Sequence, residues 1–170
     1  MVRPGDPIAH VQVTMMQPKS LVRAYCAQAV EVEVDPETGQ VRLTKVVTVQ
    51  DTGTIINALG HQGQIEGGLV QGIGFALSEE MTLDENGRIT AAHLGEYKMP
   101  TMPDIPELVT VNLPSEGPGP FQAKSIGEMP CVPIAGAIAN AVADAIGAPV
   151  LQLPITAERA LAAMEGQGIR

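Results

Sequence analysis

A glycine-rich stretch with the apolar spacing of a helix is the feature that most restricts how this chain can fold. Apolar residues recur every four positions, as one helix face requires: Ile65, Leu69, Ile73 and Leu77. The helix predicted over residues 62–80 also carries five glycines: Gly63, Gly67, Gly68, Gly72 and Gly74. Each glycine costs a helix about 0.5–1 kcal/mol relative to alanine. The helix is therefore expected to lie close to another backbone or to a ligand, and the sequence leaves both interpretations open.

Short strands and turns are predicted on both sides of this helix. Residues 30–34 alternate valine with glutamate, and the turn sequence Asp-Pro-Glu-Thr-Gly follows at residues 35–39. The predicted strands are residues 11–13, 24–34, 41–49 and 108–113. A second hairpin is predicted at residues 81–90, and an extended segment with several prolines at residues 97–106.

A second helix is predicted from the region of Pro130 and Pro133 to Gly147. Its apolar residues Ile134, Ile138 and Val142 repeat every four positions, and alanine and glycine fill most of the others. A short last helix begins at Thr156. Hairpins followed by packed Gly/Ala-rich helices predict an α+β fold. Residues 1–170 are expected to form a single domain, with residues 1–10 as an irregular arm.

The charge balance argues against several classes of partner. The net charge is −9, which disfavours binding to nucleic acid or to an anionic membrane surface. The longest apolar stretch, residues 131–153, contains Asp144 and two prolines, so no membrane span is predicted. No signal peptide is recognised, and a cytoplasmic location is expected.

The sequence predicts no metal site. Cys26 and Cys131 are about a hundred residues apart, without the close spacing of zinc or iron–sulfur ligands. We expect two buried thiols, with a disulfide as the alternative. His10, His61 and His93 are isolated in the sequence and show no ligand spacing.

Glu128 is the main candidate for catalysis. It lies within residues 122–130, directly before the apolar second helix. A carboxylate there can stabilise a helix start, or it can become a proton acceptor if burial raises its pKa. Lys124 and Ser125 stand nearby as hydrogen-bond donors, and Gly127 allows an unusual backbone. Three carboxylates are candidates for a second acid beside it: Asp51, Glu66 and Glu96.

Three segments in this order and spacing resemble the large subunit of the xanthine dehydrogenase and aldehyde oxidase family of molybdenum hydroxylases. The first comprises residues 30–39, the Asp-Thr-Gly sequence at 51–53 and Asn57. The second is residues 63–74, followed by Glu79 and Glu80, and the third is residues 123–130 with the small-residue helix that follows. The resemblance extends from about residue 24 to the end and identifies residues 11–170 as a C-terminal segment of the molybdenum-cofactor-binding domain.

The resemblance implies a role for each matching residue. Glu128 matches the general base of the family's Gly-Glu-x-Pro motif, and Gln64 matches a glutamine that hydrogen-bonds the pterin. Lys124, Ser125, Ile126 and Gly127 match a loop that wraps the cofactor, mostly through backbone amides. Gly67, Gly68 and Gly72 would keep the helix backbone close to it.

The resemblance also implies cofactors and partners. The cofactor is molybdopterin, expected in its cytosine dinucleotide form, with molybdenum and shared with a partner chain. The 2Fe-2S clusters and FAD are expected only on other subunits. The alternative is a non-catalytic assembly or binding domain, and a third interpretation is a free-standing domain that oligomerises through its Gly/Ala-rich helix faces. Purines, aldehydes, aromatic heterocycles and carbon monoxide all remain open as substrates.

Overall fold

The computed structural model describes residues 22–166 and places three strands and three α-helices there. These elements are β1 (Cys26–Val34), β2 (Val41–Gln50), α1 (Ala58–Leu77), β3 (Glu107–Asn112), α2 (Cys131–Ile146) and α3 (Ala157–Met164). Two single-turn 3-10 helices, Met102–Asp104 and Pro120–Gln122, flank β3. The predicted α+β class is confirmed. The predicted arm and the strand at residues 11–13 lie outside the described residues.

The first two strands form the predicted antiparallel hairpin, which contains one irregularity. Lys45 lies opposite Glu31 but Leu43 lies opposite Val32, so Thr44 is an extra residue in β2. Such a bulge changes which residues of a strand face the core. The buried residues of β2 accordingly change from odd to even positions: Leu43, then Val46, Thr48 and Gln50.

β3 completes the sheet by pairing with β2 in parallel. Parallel neighbours need a long crossover, and α1 lies within the connection between these two strands. α2 packs against both β1 and α1, and α3 contacts α2. Glycine at position 39 is required at the tip of the first hairpin, because φ is +73° and a Cβ would lie 2.2 Å from the Ala157 carbonyl oxygen of α3.

The helices agree with the predictions apart from their bounds. α1 begins at Ala58, four residues before the predicted start, because the Asn57 side chain accepts a hydrogen bond from the Gly60 N–H at 2.9 Å. α2 ends at Gly147, whose φ is 72°, and Thr156 caps α3. The core consists of aliphatic residues from β2, both long helices and the α3 region: Leu43, Val46, Ile65, Leu69, Ile73, Ala76, Ile134, Ile138, Val142, Ile155 and Ala160.

Two predicted extended segments are less regular than expected. The second hairpin is reduced to one bridge, between Leu83 and Ile89, around a turn whose Asp84 side chain accepts from the Asn86 and Arg88 N–H groups. Leu83 and Ile89 are exposed, so the two predicted strands do not pack against the core. The proline-containing segment forms the short 3-10 helix at Met102–Asp104.

Candidate cofactor site

The loop between β3 and α2 contains five of the six predicted site residues and closes onto the end of β2. Gly53 forms a bridge with Ala123, and the Lys124 N–H donates to the Thr52 carbonyl oxygen at 2.9 Å. Gly53 has φ +66°, and a Cβ there would lie 2.2 Å from the Gln122 carbonyl oxygen. The contact between loop and strand thus requires glycine at position 53.

Two residues just before this contact adopt a strained backbone. Phe121 and Gln122 have φ values of 56° and 61°, in the left-handed region that side-chain-bearing residues rarely adopt. The Gln122 carbonyl oxygen accepts hydrogen bonds from the Thr54 N–H at 3.2 Å and the Gly117 N–H at 3.0 Å. Strain of this kind persists where surrounding contacts enforce it, often next to functional sites.

A buried ion pair lies directly under the loop. The Lys124 Nζ donates to both carboxylate oxygens of Asp51, at 2.7 and 2.9 Å, and each of the two side chains is 9% exposed. The Ser115 hydroxyl donates to the same carboxylate and accepts from the Gly53 N–H at 3.1 Å. The hydrogen bonds from Lys124 and then from Ser115 hold the pKa of Asp51 below its ordinary value.

The residues that follow Lys124 present unpaired backbone donors. Within residues 22–166, the N–H groups of Ser125, Ile126, Gly127 and Glu128 have no hydrogen-bond acceptor. Ser125, Gly127 and Glu128 are exposed, and a Cβ at Gly127 would meet nothing within 4 Å. Four successive free amides beside open space can bind anionic or carbonyl oxygens.

The structure places Glu128 at the surface, in the turn that leads into α2. Its carbonyl oxygen accepts from the Cys131 N–H at 3.0 Å, and its carboxylate is exposed. The described residues therefore do not provide the burial that the sequence argument invoked, and the Lys124 ammonium expected beside Glu128 pairs with Asp51 instead. Burial and, second, the Glu128 charge raise the pKa of the Cys131 thiol, which keeps this sulfur protonated.

Helix α1 uses its glycines in two different ways. A Cβ at Gly68 would lie 3.1 Å from the Pro130 Cβ, and one at Gly72 would lie 1.9 Å from the Ile134 Cγ2. The missing side chains at both glycines therefore allow α2 to pack closely against α1. The expectation that these two approach a cofactor is wrong because α2 occupies that space. Gly63 and Gly67 are exposed, with nothing within 4 Å of an added Cβ.

The exposed Gln64 side chain lies beside these open glycines. Gln64 is one helical turn before Gly68, which contacts Pro130, so Gln64 and residues 125–128 flank the same junction of α1 and α2. The two predicted groups of site residues, about sixty residues apart in sequence, thus each lie within one helical turn or a few residues of the contact between Gly68 and Pro130.

Comparisons with known proteins identify the family. Residues 9–106 match the family model described as the molybdopterin cofactor-binding domain, which covers more than half of the chain. The chain belongs to this family. The xanthine dehydrogenase molybdenum-binding subunit of Escherichia coli is 41% identical over 141 residues, which are 80% of this chain and 18% of that subunit.

Solved structures agree with this assignment. Aldehyde oxidoreductase from Desulfovibrio gigas has a TM-score of 0.78 and 36% identity over 84% of this chain and 15% of that protein. Reconstituted CO dehydrogenase from Oligotropha carboxidovorans has a TM-score of 0.78 and 29% identity, over 85% of this chain and 18% of that one. The chain thus spans about a fifth or less of the length of the relatives it matches.

The described residues suit molybdopterin, the group that the family name implies. A phosphorylated pterin offers oxygen and ring-nitrogen acceptors, which the four free amides at 125–128 can engage. The Gln64 amide can both donate and accept, and the bare backbone at Gly63, Gly67 and Gly127 leaves room for a flat ligand. These residues form an open surface, whereas a groove of about 1000 Å³ between β2 and residues 98–107 contains none of them.

The three carboxylates predicted as possible companions of Glu128 all have other neighbours. Asp51 binds Lys124, and Glu66 accepts a hydrogen bond from the Gln62 Nε2 at 2.7 Å. Glu96 lies 3.6 Å from His93. The His61 Nε2 lies 2.9 Å from the Thr52 Oγ1, and burial lowers the pKa of this imidazole. His10 lies outside the described residues.

Sequence reasoning missed a buried polar cluster behind the loop. The Gln28 Nε2 donates to the Pro130 carbonyl oxygen at 2.8 Å, and the Gln50 Nε2 donates to the Thr48 Oγ1 at 2.6 Å. The Oε1 atoms of both glutamines lack partners among the described residues. Thr48 and Gln50 share the core face of β2 with Val46 because of the bulge at Thr44, so the sequence contains no local signal for their burial.

Three further findings apply to the described part of the chain. No group of three or more histidine, cysteine, aspartate or glutamate side chains is arranged to bind a metal within residues 22–166. None of the described helices has the length and hydropathy needed to span a membrane. Cys26 and Cys131 are both free and partly exposed, so the disulfide alternative is not realised.

Proposed function

We propose that this chain supplies one side of the molybdopterin site in a molybdenum-dependent hydroxylase or dehydrogenase. The observation that carries the proposal is the run of backbone N–H groups at residues 125–128, which includes Glu128 and has no acceptor within residues 22–166. Gln64 lies one helical turn before Gly68, which meets Pro130 just after this run. When bound, the molybdenum cofactor supplies the redox chemistry. The amides of Ser125, Ile126 and Gly127 and the Gln64 side chain would hold the pterin, and Lys124 would begin this loop.

Glu128 is the proposed general base. Its carboxylate is exposed in this chain, so it can receive a proton at Oε from a group bound in front of residues 125–128. A base works best near the operating pH, which for a carboxylate requires that other parts of the enzyme bury it. The proposal therefore requires further polypeptide over Glu128 to complete the site.

The proposed assembly contains several components. The remaining part of the molybdenum-binding large subunit would cover the open face, and separate iron–sulfur (2Fe-2S) and flavin (FAD) subunits would carry electrons away within a cytoplasmic oligomer. One matched relative is named a molybdenum-binding subunit, which supports the proposal that the other cofactors are carried by separate subunits. The pterin is proposed in its cytosine dinucleotide form.

Substitution of Glu128 by glutamine tests the proposed base. In the assembly purified with this chain, kcat per bound molybdenum should fall by about 10²–10⁴-fold, because an essential base is lost while the side chain keeps its size. Glu116→Gln, which neutralises an exposed carboxylate in the same loop, is the matched control and should keep full activity. An unchanged rate in Glu128→Gln would remove Glu128 from the mechanism.

Gln64→Ala tests cofactor binding separately. Molybdenum and pterin content of the purified assembly should fall, because one hydrogen-bonding partner of the pterin is removed while the helix is kept. Gln152→Ala, at an exposed loop position after α2, should leave the content unchanged. If Gln64→Ala and Glu128→Gln both match their controls, the chain is instead an assembly domain that keeps the fold without the chemistry.

A further inference from the structure

We propose that Asp51 is a positioning residue for the segment 124–130, the stretch from Lys124 to Pro130 that carries Glu128. The inference rests on the proposed function of Glu128. Asp51 lies 73 residues before Lys124 in sequence and acts through the Lys124 side chain, not on a ligand. It sets where the free amides and the carboxylate of this segment stand relative to α1.

The position of Asp51 is fixed before it binds Lys124. Asp51 directly follows β2, and its N–H donates to the Tyr25 carbonyl oxygen at 2.8 Å. The preceding residue, Gln50, is fully buried, and the Ser115 hydroxyl donates to Oδ1 of Asp51, which also accepts from Lys124. The carboxylate is therefore an anchor that belongs to the sheet.

Lys124 transmits this position to the segment. Its ammonium is bound by both carboxylate oxygens and its N–H by the Thr52 carbonyl oxygen, so backbone and side chain are both held at the sheet. The other end of the segment is held by the Gln28 Nε2, which donates to the Pro130 carbonyl oxygen. Between these two anchors, the N–H groups of residues 125–128 have no acceptor in the described part of the chain.

Removal of the Asp51 charge should release the first anchor. The Lys124 ammonium would then be buried without a counter-charge, which costs enough free energy to favour its movement to solvent. Ile126 packs against the core, and the carbonyl oxygens of Glu128 and Met129 accept hydrogen bonds from the first turn of α2 at 3.0 and 3.4 Å. The backbone is therefore expected to move with Lys124 mainly at residues 124 and 125, ahead of these contacts, and to pass a smaller shift on to Glu128. Movements of about 1 Å at a catalytic group can cost about 10²-fold in rate.

Trypsin cleavage at Lys124 reports on the anchor directly. The bond between Lys124 and Ser125 should resist trypsin in the wild-type chain, because the lysine side chain is buried in the ion pair. In Asp51→Asn, cleavage there should be at least about tenfold faster, since the rate follows the population of the opened segment. Cleavage after Arg88, in an exposed turn, is the internal reference and should not change.

Glu107→Gln provides the matched control variant. Glu107 forms an ion pair with Lys45 on the same sheet, at 3.3 Å and largely exposed, so its loss removes a carboxylate without touching the segment. If Asp51→Asn does not fold, Ser115→Ala is the milder variant, because it removes only one hydrogen bond from Asp51. Thermal unfolding identifies the variants that are folded.

Kinetics of the complete assembly separate positioning from a purely structural role. In Asp51→Asn, kcat per bound molybdenum should fall by about 10–100-fold with KM within about twofold, because the base is displaced while substrate binding is kept. Glu128→Gln is measured in parallel. If Glu128→Gln lowers kcat but a folded Asp51→Asn does not, the positioning role is wrong even when cleavage is faster.

Trypsin cleavage and kinetics together distinguish failure of this inference from failure of the proposed function. Unchanged cleavage at Lys124 in folded Asp51→Asn and Ser115→Ala would overturn the anchor, whatever the kinetics. If Glu128→Gln keeps full activity, the proposed base is wrong, and the inference that Asp51 positions a base falls with it. Faster cleavage would then still establish the anchor itself. Faster cleavage together with a lower kcat in both variants is the result expected.

Discussion

At the scale of single residues, the site depends on pairs that are distant in sequence. Glu128 and Lys124 were predicted from their motif, yet the partner of Lys124 is Asp51, which lies 73 residues earlier in the sequence. Sequence proximity suggested that the lysine would stand beside Glu128. The closure of the loop onto β2 decides otherwise, and no local pattern reveals that closure because it depends on β3 and on the backbone at Gly53.

The Asp51–Lys124 pair should also make the free energy of unfolding depend on pH. Hydrogen bonds from Lys124 and Ser115 lower the pKa of Asp51 in the folded state relative to the unfolded value of about 3.9. A lowered pKa stabilises the fold above the unfolded pKa, and this stabilisation is lost as the pH falls through the folded value.

Urea unfolding from pH 7 to pH 2 tests this dependence. The difference in unfolding free energy between the wild type and Asp51→Asn should be largest above about pH 5 and should shrink below about pH 4, as Asp51 becomes protonated. Asp144→Asn, at an exposed position near the end of α2, is the control. A pH-independent difference for Asp51→Asn would show that its charge does not stabilise the fold.

At the scale of secondary-structure elements, the periodicity of apolar residues predicted which helices and strands form better than it predicted which of their residues face the core. The hairpin, α2 and the last helix were predicted close to their observed bounds, whereas α1, predicted over residues 62–80, lies at Ala58–Leu77. The bulge at Thr44 was not predicted, because the residue types in a strand do not reveal an extra residue. That residue nevertheless exchanges the core face and the solvent face of the strand that follows it. For the same reason the buried Thr48 and Gln50 were missed.

Alanine substitutions at two glycines of α1 should have opposite effects on stability. Gly72→Ala should destabilise the chain by about 1–3 kcal/mol, because its Cβ would overlap Ile134 of α2. Gly67→Ala adds a methyl group to open space and should stabilise the helix by about 0.5–1 kcal/mol. Urea midpoints measure both; equal shifts would contradict the division of the glycines between packing and an open face.

At the scale of the whole molecule, the family was the most predictable property. The motifs that suggested molybdenum hydroxylases are confirmed at family level by the match over residues 9–106. Substrate and partners do not follow from this chain, because it spans about a fifth or less of its relatives' length and its candidate site is an open surface.

The isolated chain should self-associate and bind no molybdenum. Large apolar side chains are exposed at several points of the described region: Ile56, Leu59, Phe121, Val132 and Leu151. Such residues favour association when nothing covers them. Sedimentation over a range of concentrations should show reversible oligomers, and metal analysis should find no molybdenum, since contacts from one side hold the cofactor weakly. A monomer at all concentrations, or a chain that retains molybdenum, would contradict these expectations.

The parallel pairing of β2 with β3 bears on the order in which the chain folds. The β1–β2 hairpin and α1 form from contacts that are close in sequence, whereas β3 must first cross over α1. Closing such a long loop costs entropy before any contact offsets it, so non-local pairing is slow. Lys124 follows β3, and its contact with Asp51 joins residues 73 positions apart. The residues proposed to hold the cofactor are therefore expected to come together later than the hairpin and α1, which leaves them unassembled for longer while the chain folds.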